Sequence, residues 1–164
     1  MTAIDQYAAA RTTTLFPTTE TMVAALRGSM NVPLSPLTQA AYELASKYRE
    51  LIRDLSANEL IHAQIAEIEA RIDQLVITQP PPRSDADQVP PTVGAVINSL
   101  AMLWPLAEWA LERHSSTDDR LHRVWFCLAE VHNLYCDFVS NHPIEPVQLP
   151  TWSVVEAMKR ELEK

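Results

Sequence analysis

Glycine is nearly absent from this chain: two glycines, Gly28 and Gly94, stand against 12 prolines in 164 residues. Tight two-residue hairpins rely on glycine for their positive φ angles, so a β-rich fold is disfavoured. Phosphate-cradling loops and dinucleotide-binding turns need clustered glycines. Two isolated ones exclude nucleotide binding by either device. What remains is a chain of helices punctuated by proline. A mass of 18.4 kDa suits one domain. At this size about 70% of the unfolded chain's surface can be buried, enough for one core without disulfide or metal staples. Apolar residues at 47% and charged residues at 21% describe a globular chain.

The helices can be placed from their caps and stripes. A weak alanine-rich helix is expected over 3–11 and a short one over 19–27, stopped by Gly28. Helix A, about 36–55, opens with Ser35-Pro36, a capping serine before a proline at the first helical position. Its stripe is Leu37, Ala40, Ala41, Leu44, Tyr48, Leu51, Ile52 and Leu55. Helix B, about 57–78, follows the capping-box pattern Ser56-Ala57-Asn58-Glu59. It carries Ile61, Ile65, Ile68, Ile72, Leu75 and Val76, with Glu67 and Arg71 spaced to pair on its solvated side. A and B form either a helical hairpin or one long bent helix, since no glycine or proline forces the break. The proline-rich stretch 80–91 reads as a spacer, its other use being a ligand for a proline-recognition domain.

Helix C, about 92–114, carries Val93, Val96, Ile97, Leu100, Trp104, Ala107 and Leu111, with Pro105 inside it. Helix D, about 118–141, begins at Asp118-Asp119, where carboxylates suit the helix dipole, and ends at Asn141 and Pro143. A proline-rich connector then leads to a last helix over about 153–163, opening with Ser153-Val154-Val155-Glu156. Helix D is apolar nearly all round, so it is expected to be central. The expectation is an all-α, single-domain bundle of four main helices with short N-terminal helices and a C-terminal helix.

Charge removes two classes of partner. The net charge is −8 and the pI about 5.0, with no basic run. Nucleic-acid binding draws on a basic footprint, and anionic membranes need the same. No uninterrupted apolar run approaches the ~18 residues of a membrane span. The N-terminus shows no signal-peptide pattern. The expected location is cytoplasmic.

Candidate chemistry is sparse. His132 falls mid-way along the apolar face of helix D and Tyr48 at the matching place on helix A. With Trp104, Trp125 and Tyr135 they define a candidate internal pocket, in which His132 is either a satisfied core histidine or a base. Metal-binding bundles carry Glu-x-x-His or His-x-x-x-His pairs. Only His132 and Cys136 share a useful spacing, so no metal and no cofactor is expected. Cys127 and Cys136 lie about 13.5 Å apart along one helix and cannot bridge within it. Glu67, Glu69, Glu108 and Glu112 read as solvated faces. Met102, Leu106 and Trp109 lie off the main stripe of helix C, and Phe126 and Leu134 on the outer side of helix D. Those five residues define a candidate interface, because a monomer exposing them would present a contiguous apolar patch.

Four segments carry a resemblance: Pro36-Leu37-Thr38-Gln39-Ala40-Ala41-Tyr42-Glu43-Leu44-Ala45, Ile68-Glu69-Ala70-Arg71-Ile72-Asp73, Val93-Gly94-Ala95-Val96-Ile97, and Trp125 to Val139. Together they resemble a bacterial, largely actinobacterial, helical domain family of unknown function, over about 35–141. The resemblance implies a helical fold and no particular activity. Tyr48 stands where the family's first helix is expected to carry a histidine, a departure that weakens the case for a two-histidine site. The sequence therefore points first to a non-catalytic interaction or assembly protein, a homodimer through helices C and D. The second reading is a small-molecule-binding or enzymatic bundle around His132.

Overall fold

The computed structural model describes residues 16–29, 31, 35–56, 59–76 and 90–164. They form six helices and no strand: α1 Thr19–Arg27, α2 Pro36–Arg53, α3 Glu59–Val76, α4 Val93–Leu111, α5 Asp119–Val139 and α6 Trp152–Leu162. The expected helix over 3–11 and the stretch 80–89 lie outside the described residues, as do residues 32–34.

The caps account for most boundaries. Ser35 and Thr38 form a reciprocal capping box ahead of Pro36. The side chains of Thr92 and Asp118 accept from backbone N–H groups of α4 and α5. Gly28 stops α1 in the left-handed region at φ 80°. Its N–H and that of Ser29 return to the carbonyls of Ala25 and Ala24. Asn141, at φ 55°, ends α5 in the same way. Two expected caps move. α3 begins at Glu59, so Ser56 lies outside it and instead donates its N–H to Asp54 Oδ1. α6 begins at Trp152, placing Ser153 inside the helix and leaving Thr151 as a cap without a side-chain hydrogen bond. A and B are two helices, with the chain extended at Asp54.

The central helix is α4, not α5. It touches all five other helices, and 14 of its 19 residues are buried. The charges explain why. α4 holds one charged residue, Glu108, whereas α5 holds Asp119, Arg120, Arg123, Glu130 and Asp137. Burying unpaired charge is costly, so α5 keeps one side in water. Its buried residues are Leu121, Val124, Leu128, Val131 and Tyr135, spaced alternately three and four apart. Trp125 and His132 flank this face and are only partly buried. Among the described residues α4 alone is long and apolar enough by composition to cross a membrane, yet it is packed inside the fold.

Polar cross-links tie the outer helices to α4. Asp73 of α3 accepts from the Gly94 N–H at 2.8 Å and from Thr92 Oγ1 at 3.1 Å, capping α4 from a neighbouring helix. A β-carbon on Gly94 would lie 2.5 Å from Asp73 Oδ1, so the missing side chain is what admits this cap. Tyr48 donates to Asn98 Oδ1 at 2.8 Å, and Asn98 donates to Glu69 Oε2 at 2.6 Å. At the other end of α4, Glu108 accepts from Trp104 Nε1 at 2.9 Å and from Arg49 at 3.2 Å. Arg49 also donates to the Leu26 carbonyl, closing the end of α1. Glu69 and Glu108 are therefore links between helices, not free solvated carboxylates. Arg71 pairs across to Glu43 at 2.6 Å.

Candidate interaction surface

The five residues of the predicted internal pocket do not converge. Tyr48 meets Asn98 through its hydroxyl and Trp152 through its ring, at 5.8 Å between centroids. Trp104 and Trp125 stand edge to face at 6.5 Å. Tyr135 is fully buried and donates to the Pro17 carbonyl at 2.7 Å, pinning the entry to α1 onto α5. His132 faces away from this core. It lines a groove of about 460 Å³ with Thr19, Glu20, Val23 and Arg27 of α1. Its ring Nδ1 lies 3.7 Å from Cys136 Sγ, so the predicted one-turn pair does meet. Tyr48 and His132 are kept apart because α2 and α5 each pack on α4 rather than on one another.

The polar chemistry of the interior is closed on itself. Among the described residues no buried side-chain nitrogen or oxygen lacks a hydrogen-bond partner. Burial raises the phenol pKa of both Tyr48 and Tyr135 above the usual range, keeping them neutral donors. Burial also pushes up the Cys127 thiol, reinforced by Glu130, and the Cys136 thiol, reinforced by Asp137. Neither is an activated nucleophile at neutral pH, since the thiolate is the reactive form. Among the described residues no three His, Cys, Asp or Glu side chains gather in a metal-holding arrangement.

The predicted interface divides in two. Met102 and Leu106 are 2% and 0% exposed, sealed within α4's packing against its neighbours. Trp109 is half-buried under α6, where the Lys159 ammonium lies 4.9 Å from its ring centroid and Arg113, in the turn just after α4, covers it from the other direction along the chain. Lys159 is itself buried and ion-paired to Glu163. Met102 and Leu106 therefore present no free surface, and Trp109 only the part of its ring that lines a groove with Pro105 and Glu108, where the sequence reading left one face bare. Phe126 and Leu134 behave differently. Phe126 points opposite the core and is 64% exposed. Leu134 lies on the wall of a groove of about 630 Å³ between α5 and the connector that leads into α6. Cys127 and Val131 form the rest of that wall, and Val147, Leu149 and Val154 face them. Glu130 and Asp137 give it an acidic rim.

Periodicity alone missed the connector's part in this groove. Val147 and Leu149 are isolated apolar residues among prolines, with no repeat to mark them. Comparison with protein-family models, with curated proteins and with solved structures finds no match for this chain.

Proposed function

We propose that this chain is a non-catalytic assembly protein that pairs with a second copy of itself through the outer face of α5. The observation that carries this reading is the apolar groove along α5, with the exposed Phe126 next in the chain to its lining residue Cys127. Leu134, Val147 and Val154 line that groove and Phe126 is exposed on the same helix, while the other exposed apolar side chains, Tyr42, Leu60, Leu75 and Leu111, lie on other helices; among the described residues the buried polar side chains are already satisfied. Contiguous exposed apolar surface beside a charged rim is the usual signature of an interaction site. Two-fold pairing of a chain with itself is its commonest use. The resemblance to a helical family without an assigned activity fits the same reading and belongs to the proposal.

Sedimentation velocity over a concentration series, joined to native mass spectrometry, tests it. The expected result is a dimer at tens of micromolar with no additional bound mass. Phe126→Ser should shift the protein to monomer at an unchanged thermal midpoint. Wild-type protein that stays monomeric at those concentrations overturns the reading. A small molecule retained through purification would favour the ligand-binding alternative.

A further inference from the structure

We infer that the two copies meet through antiparallel α5 helices in one register, with Arg123 of each copy against Glu130 of the other and Phe126 beside the two-fold axis. This rests on the self-association proposed above and adds its geometry.

The argument starts from the order of residues along the outer face of α5. At about 100° per residue, Asp119, Arg123, Phe126, Glu130 and Asp137 fall within one stripe, opposite the buried face of Leu121, Val124, Leu128, Val131 and Tyr135. Phe126 is thus an apolar centre, with a cation one turn before it and an anion one turn after. Asp137 adds a second negative charge two turns further on. Arg123 does have an intrachain partner, Glu161 at 3.5 Å, but both side chains are more than half exposed. Such a pair is weak and easily exchanged.

That charge order selects orientation and register. Parallel pairing would set Arg123 on Arg123 and Glu130 on Glu130. Antiparallel pairing about a point near Glu130 brings the two Glu130 carboxylates together. Antiparallel pairing about the Phe126–Cys127 peptide sets Arg123 against Glu130 twice, and lays Phe126 against the second copy's Phe126 and Cys127. Asp119 then falls opposite the uncharged Leu134. Like charges at an interface suppress the wrong arrangements and complementary ones fix the register. Cys127 lies near the axis in this register, whereas the two Cys136 residues lie about 28 Å apart along the helices.

Charge reversal is the test. R123E and E130R should each weaken the dimer by about tenfold or more, because two attractive contacts become two repulsive ones. The double variant R123E/E130R should return to within about threefold of wild type. Thermal midpoints at low concentration should be the same for all four proteins, because neither side chain is buried. A second readout uses the thiols. A bismaleimide of about 10 Å span, close to the interaxial distance of packed helices, should couple two copies of Cys136→Ser and leave Cys127→Ser uncoupled.

A wild-type dimer whose double variant is no tighter than the single ones overturns this register while leaving self-association standing. Efficient coupling through Cys136 overturns it in the same way. Wild-type protein that is monomeric at tens of micromolar overturns both the register and the assembly reading.

Discussion

Glu69 shows how one side chain can be both a link and a cost. It accepts from Asn98, which in turn accepts from Tyr48, so three helices meet through one carboxylate. Burial raises its pKa, and the nearby Asp73 carboxylate raises it further, against the opposing effect of Asn98. A carboxyl whose pKa is raised on folding binds its proton more tightly in the folded state. The charged form therefore weighs against the fold above the folded pKa, and that penalty fades as pH falls through it. Glu69→Gln keeps an acceptor for Asn98 and removes the charge. It should raise the thermal midpoint at pH 7, and the gain should shrink as the pH is lowered towards about 4, near the ordinary value for a glutamate. Equal midpoints for the two proteins at pH 7 would show that Glu69 is fully solvated.

At the scale of the element, α4 is the helix on which the others depend. Leu103 is completely buried within it, while Phe126 of α5 points to solvent. Leu103→Ala should cost about 2–5 kcal/mol in chemical denaturation. Phe126→Ala, measured on monomer, should stay within about 0.5 kcal/mol. The reverse order would place the core at α5. The sequence reading did place it there, and the reason is instructive. Helix existence was legible: stripes such as Leu37, Ala40, Ala41, Leu44 and Tyr48 have a period that only a helix satisfies, and Gly28 and Asn141 mark true ends. Burial order was misread because Phe126 and Leu134 were weighed as apolar without setting Arg120, Arg123 and Glu130 against them. The candidate site was half legible for the same reason. A single helix's pattern reveals that a face is apolar but not which neighbour covers it. Trp109 and Phe126 look alike in sequence, and only the arrival of α6 separates them. The links through Asn98 and Lys159 join residues far apart in the chain, where no local spacing announces a partner.

For the molecule as a whole, α6 acts as the closing element. Trp152 packs on Tyr48 and His62, Lys159 covers Trp109, and Val155 and Leu162 are buried. Two fully buried aliphatic side chains together with partly buried Trp152 and Met158 contribute roughly 5 kcal/mol, at about 1.5–3 kcal/mol for each full burial. Ending the chain after Pro150 should therefore lower the thermal midpoint by about 10–20 °C. It should also make the protein bind an apolar dye. A shortened chain that melts within a few degrees of the full one would reduce α6 to an appendage.

The mid-chain position of α4 has a consequence during synthesis. Leu26, Leu44 and Ile72, on the three preceding helices, all belong to the core that α4 organises. As the nascent chain leaves the ribosome these helices emerge first, with their shared partner still unmade. At about 5–20 residues per second, the stretch from the end of α3 to the end of α4 takes roughly two to seven seconds to translate. For that interval the growing chain carries three apolar faces in water, which makes it a client for a holdase until residue 111 clears the exit tunnel. A translational pause after α3 has left the tunnel but before residue 111 does should lengthen the exposure and raise the aggregated fraction, while the same pause once α4 has emerged should not.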